Sequence, residues 1–294
     1  MSRRHKTVSL VLGSGGARGH AHIGVIKAIE ERGLDIRSIS GTSMGSVIGG
    51  IYAAGELDTY IEWAQRLEKR DVVKLLDLSF STVSLFKGER IFEVLKDLIG
   101  DREIEDLDRG FTAVAAAIEE QREVWLNKGP LFQAIRASTA VPGVFSPVRV
   151  AGRLLVDGGI VNPIPIAPTL SDATDLTIAV NLDSIAETYT PESNAPVRDD
   201  EEAEGYRERI QQFLGDLIGN DDDAGAAPDA TDLLIRSVDV MQGAIARLKL
   251  AAYTPDVVIE IPRDACSFFE FDRASELAEL GYKQASKVLA NRDA

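Results

Sequence analysis

Short apolar runs alternate with amphipathic stretches over the first fifty residues of the chain. Thr7 to Leu12 is rich in β-forming residues and leads into a glycine-rich loop, after which isoleucines recur at helical spacing from about His20 to Arg32. A second apolar run, Ile36 to Ser40, leads into a serine-containing turn and a helical pattern from Met44 to about Ala54. This order of strand, loop, helix, strand, turn and helix predicts a mainly parallel sheet with helices on its faces.

The periodicity of the remaining chain continues this architecture. It predicts helices over about 57–69, 89–99, 130–138, 232–253 and 272–290, and strands over about 111–118, 123–126, 148–150, 154–156, 176–182 and 257–261. No run approaches the roughly 18 apolar residues of a membrane-spanning helix. The N-terminal apolar run is too short for a signal peptide and has no small-residue cleavage site. The sequence therefore predicts an α/β protein located in the cytoplasm.

The charge of the chain is concentrated in one segment. The net charge is −15, and the stretch from Asp183 to Asp232 holds fifteen acidic residues against three arginines. We therefore predict one domain over residues 1–294, with an acidic, mobile insertion at about 184–230 and helices from there to the C-terminus. Nucleic acid is excluded as a partner because neutralising phosphates requires clustered Lys and Arg. Cys266 is the only cysteine, which excludes an intramolecular disulfide and a cysteine metal cluster.

The glycine-rich loop Gly13–Gly19 first suggests a nucleotide site, but its details argue against one. A dinucleotide fingerprint requires glycine where Arg18 stands, and a phosphate-binding loop requires a lysine and a hydroxyl residue that do not follow Gly19. The loop does place several backbone N–H groups at the start of a helix, which suits an anion or an oxyanion. A purely structural turn is the alternative.

The turn Gly41–Gly45 has the pattern G-x-S-x-G between a predicted strand and a predicted helix, which is typical of a nucleophile elbow. All three histidines precede Ser43, so the usual order of serine, acid and histidine is impossible. Asp157, which stands at the end of a predicted strand before two glycines, is one candidate base. His20 and His22, which directly follow the glycine loop, are the competing bases.

Four motifs together resemble the bacterial patatin-like phospholipases. They occur in that family's order within the first 170 residues: the glycine loop with Ala21-His22-Ile23-Gly24-Val25, the Gly41–Gly45 elbow, the run Ala137–Pro147, and Val156-Asp157-Gly158-Gly159 with Asn162-Pro163. The resemblance implies a three-layer α/β/α fold with a mainly parallel central sheet. It also implies a serine esterase of lipid metabolism that cleaves phospholipids or lysophospholipids and requires no cofactor or metal.

The resemblance further assigns roles to single residues. Ser43 would be the nucleophile and Asp157 the base of a catalytic dyad. The implied oxyanion hole consists of the backbone amides of Gly15, Gly16 and Ala17, and Arg18 would brace the loop. Ser14 departs from family patterns that have glycine at that position of the loop.

Two other functions remain open at this point: a regulatory or scaffold protein that contacts a partner through the acidic insertion, and a hydrolase of soluble acyl esters or thioesters. The leading hypothesis predicts a lipid or acyl-ester substrate and transient contact with a membrane surface. Candidates for lining the substrate access are Phe80, Leu85, Phe86, Val144 and Phe145, with packing in the core as the alternative role.

Overall fold

The computed structural model describes residues 5–75, 84–86, 88–185 and 230–290. Its strands are β1 (Thr7–Leu12), β2 (Asp35–Thr42), β3 (Ser84–Phe86), β4 (Gly110–Ala117), β5 (Arg122–Leu126), β6 (Gly143–Phe145), β7 (Val148–Val150), β8 (Arg153–Asp157), β9 (Leu176–Ser184) and β10 (Val257–Pro262). Its α-helices are α1 (Ala21–Glu31), α2 (Met44–Ala53), α3 (Leu57–Ala64), α4 (Lys69–Leu75), α5 (Glu89–Ile99), α6 (Leu131–Ser138), α7 (Ala230–Tyr253) and α8 (Ala274–Ala290).

The main sheet has the strand order β10-β9-β1-β2-β4-β8-β7, and β5 pairs with β4. The pairs from β10 to β4 are parallel, whereas β8, β7 and β5 add antiparallel pairs at one side. Strand β1 lies among the parallel strands, and its apolar residues from Val8 to Leu12 are fully buried. Such continuous apolar strands are expected where helices cover both faces of a parallel sheet.

Helices cover both faces of the sheet. The larger core cluster joins β1, β2 and β10 to α1, α2 and α8, whereas a second cluster joins Val11 and Ala179 of the sheet to Ala246 of α7. The predicted three-layer α/β/α architecture with a mainly parallel sheet is confirmed. Two glycines bring α1 and α8 together, because a Cβ on Gly24 would overlap the Ala278 carbonyl and one on Gly281 would overlap the Ala21 carbonyl.

The helix predicted over about 57–69 is wrong in one respect, since the structure divides this stretch into α3 and the beginning of α4. The break has a local cause. The Glu68 amide donates a hydrogen bond of 3.3 Å to the Asp71 carboxylate, which caps the start of a new helix. The short parallel pair of β3 and β6 was also not predicted.

Strands β7 and β8 form a hairpin with a two-residue turn. Val150 pairs with Arg153, and the turn residues Ala151 and Gly152 have φ angles of 49° and 81°. Two consecutive left-handed residues match the mirror-image turn that suits the twist of a tight hairpin. The turn thereby sets the register of β8 and the position of Asp157 at its end.

The chain divides into two compact units, residues 1–188 with 237–294 and residues 189–236. The first unit holds the whole sheet. Of the second unit the structure describes only residues 230–236, the first turns of α7. Almost all of the predicted acidic insertion, residues 186–229, lies outside the described residues, so the predicted domain organisation stays a prediction. None of the helices that are described is both long and apolar enough to cross a membrane.

Candidate active site

Ser43 occupies a strained turn between β2 and α2. Its φ and ψ angles are 56° and −126°, a conformation that residues other than glycine rarely adopt. Two hydroxyl groups hold the turn: the Ser43 amide donates to Ser138 Oγ over 3.0 Å, and Ser46 Oγ donates to the Ser43 carbonyl over 2.7 Å. A strained turn of this kind at the end of a strand is typical of a nucleophile elbow.

The two glycines of the G-x-S-x-G pattern have steric reasons. A Cβ on Gly41 would overlap the Gly45 carbonyl, and a Cβ on Gly45 would overlap the Leu12 carbonyl at the end of β1. The turn therefore folds back tightly on the sheet, and any side chain at either position would force it open.

Strand β4 brings Asp157 close to Ser43, because the strands that end at these residues both pair with it. Thr42, the last residue of β2, pairs with Val114 of β4, and Asp157, the last residue of β8, pairs with the next residue, Ala115. Because β5 pairs with the other edge of β4, β2 and β8 share one edge and meet there from opposite directions. This meeting point brings the ends of β2 and β8 together, although the two residues are more than a hundred positions apart in sequence.

The Asp157 carboxyl is buried, with 1% of the residue exposed. Burial raises the pKa of this carboxyl to about 6, and hydrogen bonding from the Ser43 hydroxyl and from the Gly159 amide counteracts part of the rise. The Gly159 amide donates to Oδ1 over 2.7 Å, whereas no described residue gives Oδ2 a hydrogen bond of good geometry. A buried carboxylate with a raised pKa that interacts with a serine hydroxyl is suited to accept a proton near neutral pH.

The three backbone amides of the glycine loop that were predicted to form an oxyanion hole differ in their hydrogen bonding. The Ala17 amide donates to the Phe268 carbonyl over 3.0 Å and is therefore already hydrogen-bonded within the protein. In the described part of the chain, the amides of Gly15 and Gly16 have no hydrogen-bond acceptor. Gly16 has a φ of 55°, and a Cβ there would lie 2.7 Å from the Phe268 ring. The loop requires glycine at this position for both reasons.

Arg18 connects the glycine loop to Arg263, the residue that follows the edge strand β10. Its side chain is largely buried, and Nε donates to the Gly15 carbonyl over 3.2 Å while Nη1 donates to the Arg263 carbonyl over 2.6 Å. Both hydrogen bonds go to main-chain oxygen atoms. Arg18 thus fixes the carbonyl of Gly15 and, with it, the direction of the adjoining peptide.

The two competing bases, His20 and His22, form hydrogen bonds to carbonyl groups of the glycine loop. His20 Nδ1 donates to the Ala17 carbonyl over 3.1 Å and Nε2 accepts from the Tyr60 hydroxyl over 2.9 Å, whereas His22 Nε2 donates to the Gly13 carbonyl over 2.9 Å. Both imidazoles are fully buried, and burial lowers the pKa of each to about 4. They are therefore neutral at physiological pH, and their hydrogen bonds go to groups other than Ser43.

Gln242 and Ser138 contact the site, although the sequence analysis assigned a role to neither residue. Ser14 Oγ donates to Gln242 Oε1 of α7 over 2.9 Å, and a Cβ on Gly159 would lie 2.8 Å from Gln242 Nε2. The departure from glycine at Ser14 thus coincides with a contact to α7. No motif pointed to Gln242, whereas Ser138 lay inside a motif without an assigned role.

The side chains predicted to line the substrate access differ in burial and in their contacts. Val144 is buried in the core, and the half-buried Phe145 ring packs against Phe92 with ring centroids 5.5 Å apart. Phe86 contacts Phe269 at 6.1 Å between ring centroids. Phe80 and the side chain of Leu85 lie outside the described residues.

The described residues contain no group of three or more histidine, cysteine, aspartate or glutamate side chains placed to hold a metal ion. Cys266 is buried and unpaired, and burial raises the pKa of its thiol to about 12. A thiol with so high a pKa is a poor nucleophile.

Comparison with known proteins identifies the family of this site. Residues 10–170 match the family model described as patatin-like phospholipase. This range includes the glycine loop, Ser43, Ser138 and Asp157.

Similar proteins extend the match beyond that range. An uncharacterized NTE family protein of Mycobacterium tuberculosis is 38% identical over 96% of this chain and 91% of its own length. A lysophospholipase of Coccidioides immitis is 30% identical over 97% of this chain, which spans only 18% of that protein. The crystal structure of VipD from Legionella pneumophila superposes with a TM-score of 0.57 over 98% of this chain and 67% of that one, at 16% identity. That likeness concerns the fold.

Proposed function

Because the chain belongs to the patatin-like phospholipase family, we propose that it hydrolyses the carboxylic ester bonds of phospholipids or lysophospholipids through a dyad of Ser43 and Asp157. The observation that supports the proposal is the meeting of β2 and β8 on neighbouring residues of β4, together with the influence of the Ser43 hydroxyl on the pKa of the buried Asp157 carboxyl. The family is one of lipid hydrolases, and the lysophospholipase relative supports this substrate class.

In the first half of the proposed reaction, Ser43 Oγ attacks the carbonyl carbon of the acyl ester. Asp157 accepts the hydroxyl proton, since its pKa of about 6 leaves it mostly ionised at neutral pH. The carboxylic acid so formed gives the proton to the departing alcohol as the tetrahedral intermediate collapses to an acyl-serine. Water then attacks the acyl group in the reverse sequence and releases the fatty acid.

The negative charge on the tetrahedral intermediate requires hydrogen-bond donors. The amides of Gly15 and Gly16, for which the described residues offer no hydrogen-bond acceptor, are the donors that we assign to it. One such preorganised donor typically contributes about 3 kcal/mol to the stabilisation of a transition state. Arg18, His20 and His22 hold the loop that carries these amides through hydrogen bonds to its carbonyl groups.

Exposed apolar side chains support a lipid substrate over a soluble one. Val240 and Met241 of α7 are more than half exposed and directly precede Gln242, which contacts the glycine loop. Leu248 is exposed two turns further along the same helix. Apolar side chains at the edge of the site suit transient contact with a lipid surface better than contact with a small polar ester.

A fluorophosphonate probe tests the proposal directly, because it forms a covalent bond with an activated serine. We expect labelling of the wild-type chain at Ser43, and its loss in Ser43→Ala together with several orders of magnitude of turnover. Asp157→Asn should lose a similar factor, and the double variant should be no worse than either single one.

The control is Ser9→Ala, which removes another buried hydroxyl, one that contacts Asp172 and Thr174. This variant should be labelled normally. Turnover of phospholipid, lysophospholipid and short p-nitrophenyl esters then ranks the substrates. Near-normal turnover by Ser43→Ala would refute the dyad, and activity on the short ester alone would refute the lipid substrate.

A further inference from the structure

The motif from Ala137 to Pro147 has no role in the mechanism above, yet its beginning lies between the two proposed catalytic residues. Helix α6 ends at Ser138, and the chain then passes Thr139 and Ala140. Ser138 and Ala140 are both completely buried. Each of them makes a hydrogen bond to one member of the dyad.

The Ser138 hydroxyl holds the strained serine turn. Its Oγ accepts a hydrogen bond from the Ser43 amide over 3.0 Å and donates one to the Val114 carbonyl over 2.6 Å. The hydroxyl proton is thus committed to β4, which leaves the oxygen lone pairs directed at the amide. The buried Ser138 side chain therefore connects Ser43, which has a positive φ, to strand β4.

The Ala140 carbonyl holds the other member. It accepts a hydrogen bond of 2.9 Å from the Asp157 amide. The Val114 carbonyl that Ser138 contacts also lies against Gly158, where a Cβ would overlap it. The Val114 carbonyl is therefore in contact both with Ser138 and with Gly158, the residue that follows Asp157.

The end of α6 makes this support rigid. The Thr139 amide donates to the Ile135 carbonyl over 3.0 Å, and Thr139 Oγ1 donates to the same carbonyl over 2.9 Å. Both bonds anchor Thr139, the residue after Ser138, to the last turn of α6, and the Ala140 amide donates to the Ala137 carbonyl over 3.4 Å. The short stretch between the Ser138 hydroxyl and the Ala140 carbonyl is therefore hydrogen-bonded to the end of the helix.

We propose that Ser138 is a positioning residue which, together with the Ala140 carbonyl, sets the separation of Ser43 and Asp157 by holding the main-chain amides of both. The inference rests on the proposed function, because it presumes that these two residues form the dyad. Without the hydroxyl, the Ser43 amide would be buried without an acceptor, and the turn would relax from its strained φ. The Ser43 hydroxyl would then move away from the carboxylate.

The test is Ser138→Ala in the full chain, with Ser9→Ala as the matched control. Ser9 is equally buried and its hydroxyl also makes two hydrogen bonds, but these go to Asp172 and Thr174. For Ser138→Ala we expect a loss of about 100-fold in kcat and in the rate of fluorophosphonate labelling, the size that a displacement near 1 Å produces. KM should change by less than about threefold, because no substrate contact is removed.

The pH profile separates positioning from general loosening. The hydrogen bond from Ser43 lowers the pKa of Asp157, and the other influences on this pKa are burial and the Gly159 amide. When Ser43 moves away, the acid limb of kcat/KM should therefore shift to higher pH in Ser138→Ala. The limb should stay in place in Ser9→Ala.

Rescue and replacement complete the test. Ser138→Thr keeps the hydroxyl and should retain most of the activity, whereas Ser138→Cys should resemble Ser138→Ala, since a thiol is a weak acceptor. If Ser138→Ala fails to fold, the contrast between the Thr and Cys variants decides.

The proposal is overturned if Ser138→Ala keeps more than half of kcat, if its acid limb does not move, or if the Cys and Thr variants are equally active. Each of these results can be obtained while Ser43→Ala is inactive, which would leave the proposed function standing. Full activity of Ser43→Ala would instead remove the function itself.

Discussion

Replacing Asp157 by asparagine should make the protein inactive and, at neutral pH, more stable. Burial raises the pKa of this carboxyl from 3.8 to about 6 in the folded state. The folded protein thus binds the proton more tightly than the unfolded chain does. Between pH 4 and pH 6 the folded state holds more protons, so the stability contributed by this group falls as the pH rises.

The magnitude follows from the difference between the two pKa values. The rise of the pKa from 3.8 to about 6 corresponds to roughly 3 kcal/mol of stability, which is present below pH 4 and lost by about pH 7. Asparagine does not titrate and avoids this loss. The replacement also has costs that do not depend on pH, since its amide nitrogen takes the place of Oδ2, to which no described residue gives a hydrogen bond of good geometry.

Urea unfolding at pH 4.5 and pH 8 separates the two contributions. The free-energy difference between Asp157→Asn and the wild type should change by about 2 kcal/mol in favour of the variant between these pH values. The costs that are independent of pH cancel in this comparison. Asp97→Asn, on the exposed face of α5, controls for the removal of an aspartate in general.

A stability difference that stays constant with pH would refute this reasoning, because it would mean that Asp157 titrates as in the unfolded chain. A change in favour of the wild type would be more damaging still. It would show that the protein stabilises the carboxylate, and that burial is not the dominant influence on it.

Three further outcomes follow from the same structure. The kcat/KM of the wild type should rise with pH through about 6 as Asp157 ionises, and a pH–rate profile that is flat between pH 5 and pH 7 would exclude it as the base. Gly16→Pro, which removes a donor and cannot adopt the φ of 55°, should lower kcat by about 100-fold or more and change KM less, measured by steady-state kinetics. Gly281→Ala should destabilise the protein by about 1–3 kcal/mol in urea unfolding, because its Cβ would overlap the Ala21 carbonyl; an unchanged midpoint would contradict the close packing of α1 on α8.

Local chemistry made much of this fold predictable from the sequence. The order of strand, glycine loop, helix and serine turn over the first fifty residues rests on periodicity and on turn residues, both of which act within a few positions. The same holds for α5 and for strand β7, whose predicted bounds agree with the structure. The resemblance of the four motifs then supplied the family, which the comparisons confirm.

What escaped prediction depends on contacts between distant parts of the chain. The Ala17 amide is occupied by a carbonyl some 250 residues later, at Phe268, and nothing in the loop sequence signals it. The approach of Asp157 to the serine turn requires two strands to pair with one edge of β4 in a particular register. Periodicity identifies strands but carries no information about which edge or which register they take.

The two-residue turn at Ala151 and Gly152 sets the register of the strand that ends at Asp157. It lies six residues before Asp157, which is about 20 Å along an extended strand. Inserting one residue there would slide β8 by a single step and send the Asp157 side chain to the opposite face of the sheet. Such a chain would keep its core, its serine turn and its glycine loop and still lack the proposed activity. Under the proposed function, a shift of one residue in the register of this hairpin would therefore be enough to abolish hydrolysis.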